Sequence, residues 1–188
     1  MKRLFWLVLI LGFFIAFPAM GGDSHKGEFI IGPRLALGAV YGATFGFAGQ
    51  VEYVLKDDVV DFGSDTPTWL GIGGSFAYSS YSEDFFFLGT GAQWKYTNIV
   101  FLGTGFFHAN FFNDPKWDTY AMLSMGVNTG SVKYQGTGTS GSVSSPTVSG
   151  FTAGLGVGAR YYFNEKAAVA AEVGIGISAL RIGVDFRL

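Results

Sequence analysis

The stretch Leu180-Arg181-Ile182-Gly183-Val184-Asp185-Phe186-Arg187-Leu188 decides how the rest of the chain is read. Apolar side chains fall on every second position, Leu180, Ile182, Val184, Phe186 and Leu188, with Arg181, Gly183, Asp185 and Arg187 between them. A period of two marks a β-strand with two unlike faces. In water, an apolar face running to the last residue would be an aggregation-prone edge. It is stable when a membrane covers that face and neighbouring strands pair both edges. The stretch reads as the closing strand of a transmembrane β-barrel, so the expected fold is all-β.

Composition agrees with that reading. Charged residues make up 14% of the 188-residue chain, against roughly 25% in soluble domains. Glycine is frequent, at 29 residues, and aromatics reach 18%. Lys+Arg is 12 and Asp+Glu is 14, which leaves no basic excess for nucleic acid. The absence of cysteine excludes disulfide staples, cysteine metal sites and a lipid-modified N-terminal Cys. Lys2 and Arg3 precede an apolar run from Leu4 to Phe17, and Pro18, Ala19, Met20, Gly21 and Gly22 follow. That order of charge, apolar core and small residues is a secretory signal peptide. The run falls short of the roughly 20 residues a membrane helix needs. Cleavage is expected after Gly21, making residues 1–21 the signal peptide and 22–188 one barrel domain.

The same alternation recurs along the body. Gly27 to Tyr41 is a first strand, with Leu35, Leu37, Ala39 and Tyr41 outward and Arg34, Ala36 and Gly38 inward. Pro33 interrupts its ladder, which suits a lightly paired end or bulge. Thr44 to Lys56 and Trp69 to Ser79 follow, joined by an irregular turn from Lys56 to Pro67. Ser80 to Gly91 does not alternate and reads as an outer loop or a strand extension. Ala92 to Asn110, Trp117 to Asn128 and Phe151 to Phe163 are further strands. Thr129 to Gly150, rich in Gly, Ser and Thr, reads as a mobile polar loop. Ala167 to Ile177 places Val169, Val173, Ile175 and Ile177 outward, and a turn at Ser178-Ala179 flips the parity into the last strand. The count is eight, an antiparallel up-and-down barrel with both ends on the periplasmic side.

Alternation alone does not say which face meets lipid. The second face decides, because a soluble sheet needs it rich in charge. Here it is mostly Gly, Ala and Ser with single charges of both signs, as a narrow lumen requires. Pairing Phe163 with Ala167 around the turn at 164–166 sets Arg160 diagonal to Glu172. Arg34, Glu52, Asp118, Arg181, Asp185 and Arg187 share the inward parity, so these eight residues are expected to form a lumen charge network. Buried alone, each would cost several kcal/mol, so they should pair or keep water. Tyr53, Trp69, Trp117 and Tyr161 at periplasmic strand ends, and Tyr41 and Tyr78 at outer ends, are expected to be interface aromatics.

Three stretches carry a resemblance. Gly158-Ala159-Arg160-Tyr161-Tyr162-Phe163 with Asn164-Glu165-Lys166 and Ala171-Glu172-Val173-Gly174 looks like a penultimate hairpin, and Asp114-Pro115-Lys116-Trp117-Asp118-Thr119-Tyr120-Ala121 like a mid-barrel turn and strand. Together with the closing strand they resemble the small bacterial outer-membrane β-barrel proteins, the group that includes OmpX and the membrane domain of OmpA. The resemblance implies location in the bacterial outer membrane. It also implies a C-terminal assembly signal at Arg181, Gly183, Phe186 and Leu188, with Leu188 where Phe is usual. Expected partners are outer-membrane lipid and lipopolysaccharide, the barrel assembly machinery and an extracellular ligand of unidentified kind. Nucleic acid is not among them, and the expected state is a monomer.

Few residues suggest chemistry. His108 faces the lumen with no Ser close by and no carboxylate evidently aimed at it, and reads as a structural hydrogen-bonder rather than a catalytic base. His25 falls in an expected disordered leader. Asp57, Asp58 and Asp61 match no calcium loop and read as a solvated turn. The glycines of Gly154-Leu155-Gly156-Val157-Gly158 sit inside an alternating strand, not at a strand-to-helix turn, so they line the lumen and bind no dinucleotide. No catalytic residue, metal or cofactor is expected. The leading reading is a non-enzymatic barrel with a side-chain-filled polar lumen, acting structurally or at the surface through loops 80–91 and 129–149. The alternative is a small passive channel for small or hydrophobic molecules, with Phe85 to Leu88 at its mouth. A lipopolysaccharide-modifying enzyme comes third.

Overall fold

The computed structural model describes residues 25–39, 43–62, 66–87, 90–112, 114–136 and 147–188. The expected signal peptide and Tyr41 lie outside the described residues. Eight strands follow one another: β1 (Phe29–Ala39), β2 (Phe45–Asp57), β3 (Thr68–Phe87), β4 (Thr90–Ala109), β5 (Trp117–Gly136), β6 (Thr147–Tyr162), β7 (Ala167–Ile175) and β8 (Ser178–Arg187). Each pairs antiparallel with the next, and β8 returns to β1, so the sheet closes into an up-and-down barrel.

The barrel is inverted in polarity relative to a soluble domain. Phe47, Ile72, Phe101, Leu155 and Val173 point outward and are each more than half exposed. Arg34, Glu52, Arg160, Glu172 and Asp185 point inward and are at most 2% exposed. Water would reward the opposite arrangement. An apolar exterior around a charged interior is stable when the exterior meets acyl chains and every strand edge is paired.

The ladder between β1 and β8 skips Gly38 and has its longer gap at Gly32 and Pro33. Its partners are Ile30 with Arg187 and Ile31 with Phe186, and pairing resumes only at Arg34 with Gly183. Pro33 has no N–H to give there. It lies in mid-strand at the barrel seam rather than at a lightly paired end, and it still faces Gly49 of β2. Arg34 Nη1 donates to Pro33 O (3.3 Å) and Val184 O (3.2 Å), so a side chain serves carbonyls in the gap. The Arg34 side chain needs space: a Cβ on Gly32 would lie 2.4 Å from Arg34 Nη1, and one on Gly183 would lie 2.9 Å from Arg34 Cδ.

Several expectations need correction. The turn between β7 and β8 is at Gly176 (φ +94°) and Ile177, not at Ser178-Ala179. Ile177 therefore points inward and packs with Val100 and Leu102. Trp69 is no interface aromatic; it is 3% exposed and stacks on the lumen-facing His108 ring at 4.8 Å. Of the two readings of 80–91, the strand extension holds for the described residues, because Ser80 to Phe87 pair with Thr90 to Thr97; residues 88 and 89 lie outside them. Much of the expected polar loop is strand too: residues 129–136 belong to β5 and 147–150 to β6, while 137–146 lie outside the described residues. Pairing with the extended β4 outweighs the weak strand propensity of Gly and Ser in β5.

The strands differ in height. β3, β4 and β5 have 20 residues each, whereas β7 has 9 and β8 has 10. β2 pairs with β3 as far as Ser79, and β6 with β5 as far as Ser131. Beyond those points β3, β4 and β5 continue as a three-stranded ribbon, and its faces exchange polarity. The outward side changes from Phe76, Tyr78, Ile99 and Phe101 to Ser82, Lys95, Thr97 and Lys133. The inward side acquires stacked Tyr81 and Tyr96 (4.7 Å) and the pair Trp94 and Tyr134 (5.0 Å). That exchange marks where the apolar band ends.

Candidate functional site

Inward alternation brings charges from β1, β2, β5, β6, β7 and β8 to one level of the lumen, and β4 adds His108. Arg160 of β6 stands at the centre and is fully buried. Its Nη2 donates to Glu52 Oε2 (2.7 Å), its Nη1 to Asp118 Oδ2 (2.9 Å) and its Nε to Asp185 Oδ2 (2.6 Å). The guanidinium also lies 4.4 Å from the Tyr120 ring centroid. Its planar fork of five donors suits several acceptors at once.

Arg34 forms the second centre. Nη1 and Nη2 grip Asp185 Oδ1 (2.6 Å) and Oδ2 (2.8 Å), a two-pronged contact of the strong charge-assisted kind. Nε (3.2 Å) and Nη2 (3.1 Å) also reach Glu172 Oε1. That oxygen accepts from Tyr120 OH (2.6 Å) and Gln50 Nε2 (3.4 Å) as well. Arg181 Nε pairs with Glu172 Oε2 at 2.7 Å, and its Nη2 points at Met122 Sδ (2.7 Å). Asp185 thus bridges Arg34 to Arg160, and Glu172 bridges Arg34 to Arg181.

His108 completes the layer. Nδ1 lies 2.7 Å from Asp118 Oδ1 and Nε2 lies 2.7 Å from Glu52 Oε1. The second contact is off the N–H direction, so it is an ion pair rather than an aligned hydrogen bond. Ionised carboxylates only accept, so a ring facing two of them carries a proton on each nitrogen. The four carboxylates Glu52, Asp118, Glu172 and Asp185 are then matched by three guanidiniums and one imidazolium, leaving the buried layer neutral. The sequence-based view that no carboxylate is aimed at His108 is corrected here: two are. Its other neighbours are aromatic rings, Trp69, Phe106 and Tyr120.

The layer is capped on both sides. On the side of the turn at 164–166, His25 stacks on Trp69 at 4.2 Å, so His25 belongs to a plug and not to a disordered leader. On the other side Thr104 bonds Ser124 (2.9 Å) and Ser75 (3.3 Å), and Val100, Leu102 and Ile177 form an apolar layer above. The lumen is therefore a charged disc between an aromatic lid and a small apolar core.

Seven of the eight expected network residues meet in this disc. Arg160 and Glu172 do not bond each other; their link runs through Asp185 and Arg34. Arg187 stays out: it pairs with Glu28 at 3.0 Å and lies over the Tyr162 ring at the barrel rim, because β8 ends there. Tyr120 and Gln50 were not singled out beforehand, although inward parity at the right height marks both. Of the C-terminal residues, Phe186 faces outward, Arg181 joins the disc, and Leu188 N donates to Phe29 O at 2.8 Å. In the acidic turn, Asp57 Oδ2 accepts from Lys26 N (3.1 Å) and Asp58 has φ +51°.

No protein-family model matches the chain, and no curated protein does. Among solved structures, the chain is similar to the N-terminal β-barrel domain of Pseudomonas aeruginosa OprF at 16% identity, over 87% of this chain and 98% of that one, with a TM-score of 0.49. It is also similar to Ail, the attachment invasion locus protein of Yersinia pestis, in a complex with the heparin analogue sucrose octasulfate (17% identity, 86% and 95% covered, TM-score 0.44). A third is Neisserial surface protein A, at 10% identity, 87% and 97% covered and a TM-score of 0.44.

Proposed function

We propose that this chain is a non-enzymatic barrel of the bacterial outer membrane. Its lumen holds the wall together, and its role is structural or one of surface interaction through the projecting β3–β4–β5 ribbon. The observation that carries this reading is the charged disc: seven ionisable side chains and His108 occupy the cross-section that a transported molecule would need. Eight strands enclose an interior that side chains alone can fill. The outward apolar band supports a lipid environment, and the seam supports a closing strand read by the barrel assembly machinery through Arg181, Gly183, Phe186 and Leu188. A monomer suits a barrel whose every strand edge within the band is already paired.

The chain lacks cysteine, so single introduced thiols report topology cleanly. Cysteine at position 82, on the ribbon, is expected to react with a membrane-impermeant maleimide on intact cells. Cysteine at position 166, in the turn after β6, is expected to react only after lysis. The reverse pattern would contradict the proposed orientation, and labelling of both on intact cells would contradict the membrane-spanning reading.

A further inference from the structure

We propose that Lys95 and Lys133, on the outward face of the projecting ribbon, form a docking site for the phosphate groups of lipopolysaccharide in the surrounding leaflet. The proposal rests on the outer-membrane reading and names residues for one partner of it.

The two lysines are direct cross-strand partners on β4 and β5, and both are exposed. Like charges placed directly opposite destabilise a strand pair. Among the described residues neither lysine forms an ion pair, and Asp84, diagonal to Lys95 on the same face, offsets only one of the two charges. The nearest carboxylate on that face, Asp84, accepts from Gln93 Nε2 at 2.8 Å, and Glu83 belongs to the other face, opposite Trp94. Leaving aside Lys2 and Arg3, the other cations of the chain sit in the lumen or at the opposite end of the barrel. The whole positive charge of the ribbon side is therefore concentrated in one pair.

The height of the pair suits an anionic headgroup. Lys95 lies four residues before Ile99, an outward residue of the apolar band, which on a tilted strand is a rise of roughly 10 Å. That is the polar layer just outside the hydrocarbon. Ser82 faces Lys95, and Thr97 and Ser131 face each other one outward row nearer the membrane, so hydroxyl donors border the two ammoniums. A phosphate between the lysines converts a repulsive pair into two charge-assisted contacts. An apolar partner would leave the excess positive charge uncompensated.

The test compares the wild type, the double variant K95Q/K133Q and a control, K116Q/K166Q, which removes two lysines at the opposite end. Each is placed in phosphatidylcholine nanodiscs containing either bisphosphorylated lipid A or the same lipid A stripped of phosphate, and retained lipid A is counted by native mass spectrometry. The wild type is expected to prefer the phosphorylated lipid. K95Q/K133Q is expected to weaken that retention about 30-fold, the effect of two cations at an anionic surface, and the control by less than about 2-fold. In phosphatidylcholine alone, K95Q/K133Q should be no less heat-stable than the wild type, since a repulsion has been removed; this shows that lost retention is not lost folding. Equal retention of both lipids by the wild type, or an equal loss in the control, would overturn the proposal.

Discussion

Arg160 holds Glu52, Asp118 and Asp185 with one guanidinium, and no neighbouring donor replaces it on all three. Removing one partner of a buried ion pair strands the others, at a cost of about 3–5 kcal/mol. Arg160→Met is therefore expected to lower the unfolding free energy in lipid vesicles by that amount, read from urea titration of tryptophan fluorescence. Arg187→Met is the comparison. Its pair with Glu28 has side chains 23% and 16% exposed at the rim, and it covers the Tyr162 ring, so its loss should cost less, about 1–2 kcal/mol. Equal costs for the two variants would show that the disc is not what the lumen relies on. Arg160 and its partners also show what can be read from a sequence. Their inward direction follows from a period of two, because a slip of one residue would turn every side chain over. Their choice of partner does not follow, since Arg160 reaches Glu52 across 108 positions of chain.

Strands keep these side chains in place through small neighbours. On β6, a Cβ at Gly158 would lie 2.6 Å from the Tyr120 ring, which holds Glu172 through its hydroxyl. Gly158→Ala is expected to cost about 1–3 kcal/mol through overpacking. On β2, Gly49 faces outward and a Cβ there meets nothing within 4 Å, so Gly49→Ala should stay within about 0.5 kcal/mol. The same urea titration checks both, and equal effects would contradict the assignment of faces. Register was legible across the tight turn at 164–166, where Phe163 N donates to Ala167 O as symmetric pairing requires. It was not legible where composition misleads. Gly, Ser and Thr make residues 129–136 look like a loop, yet β4 supplies partners for all of them. Trp69 looks like an interface aromatic from its place near a strand end, but its inward parity and the His108 ring take it inside.

At the scale of the molecule, eight paired strands, an apolar exterior and a neutral charged disc describe a wall with a filled centre. The fold was readable from alternation because a barrel repeats one local rule; the task at the surface was not, because the ribbon that would perform it obeys different polarity from the band below. The claim that joins these levels is that the lumen is closed. Single-channel recording of the purified, folded chain in planar bilayers tests it most directly. No steady openings are expected from the wild type, whereas Arg160→Ala should produce them as the disc loosens. Steady, reproducible openings from the wild type would contradict the filled lumen and favour a passive channel.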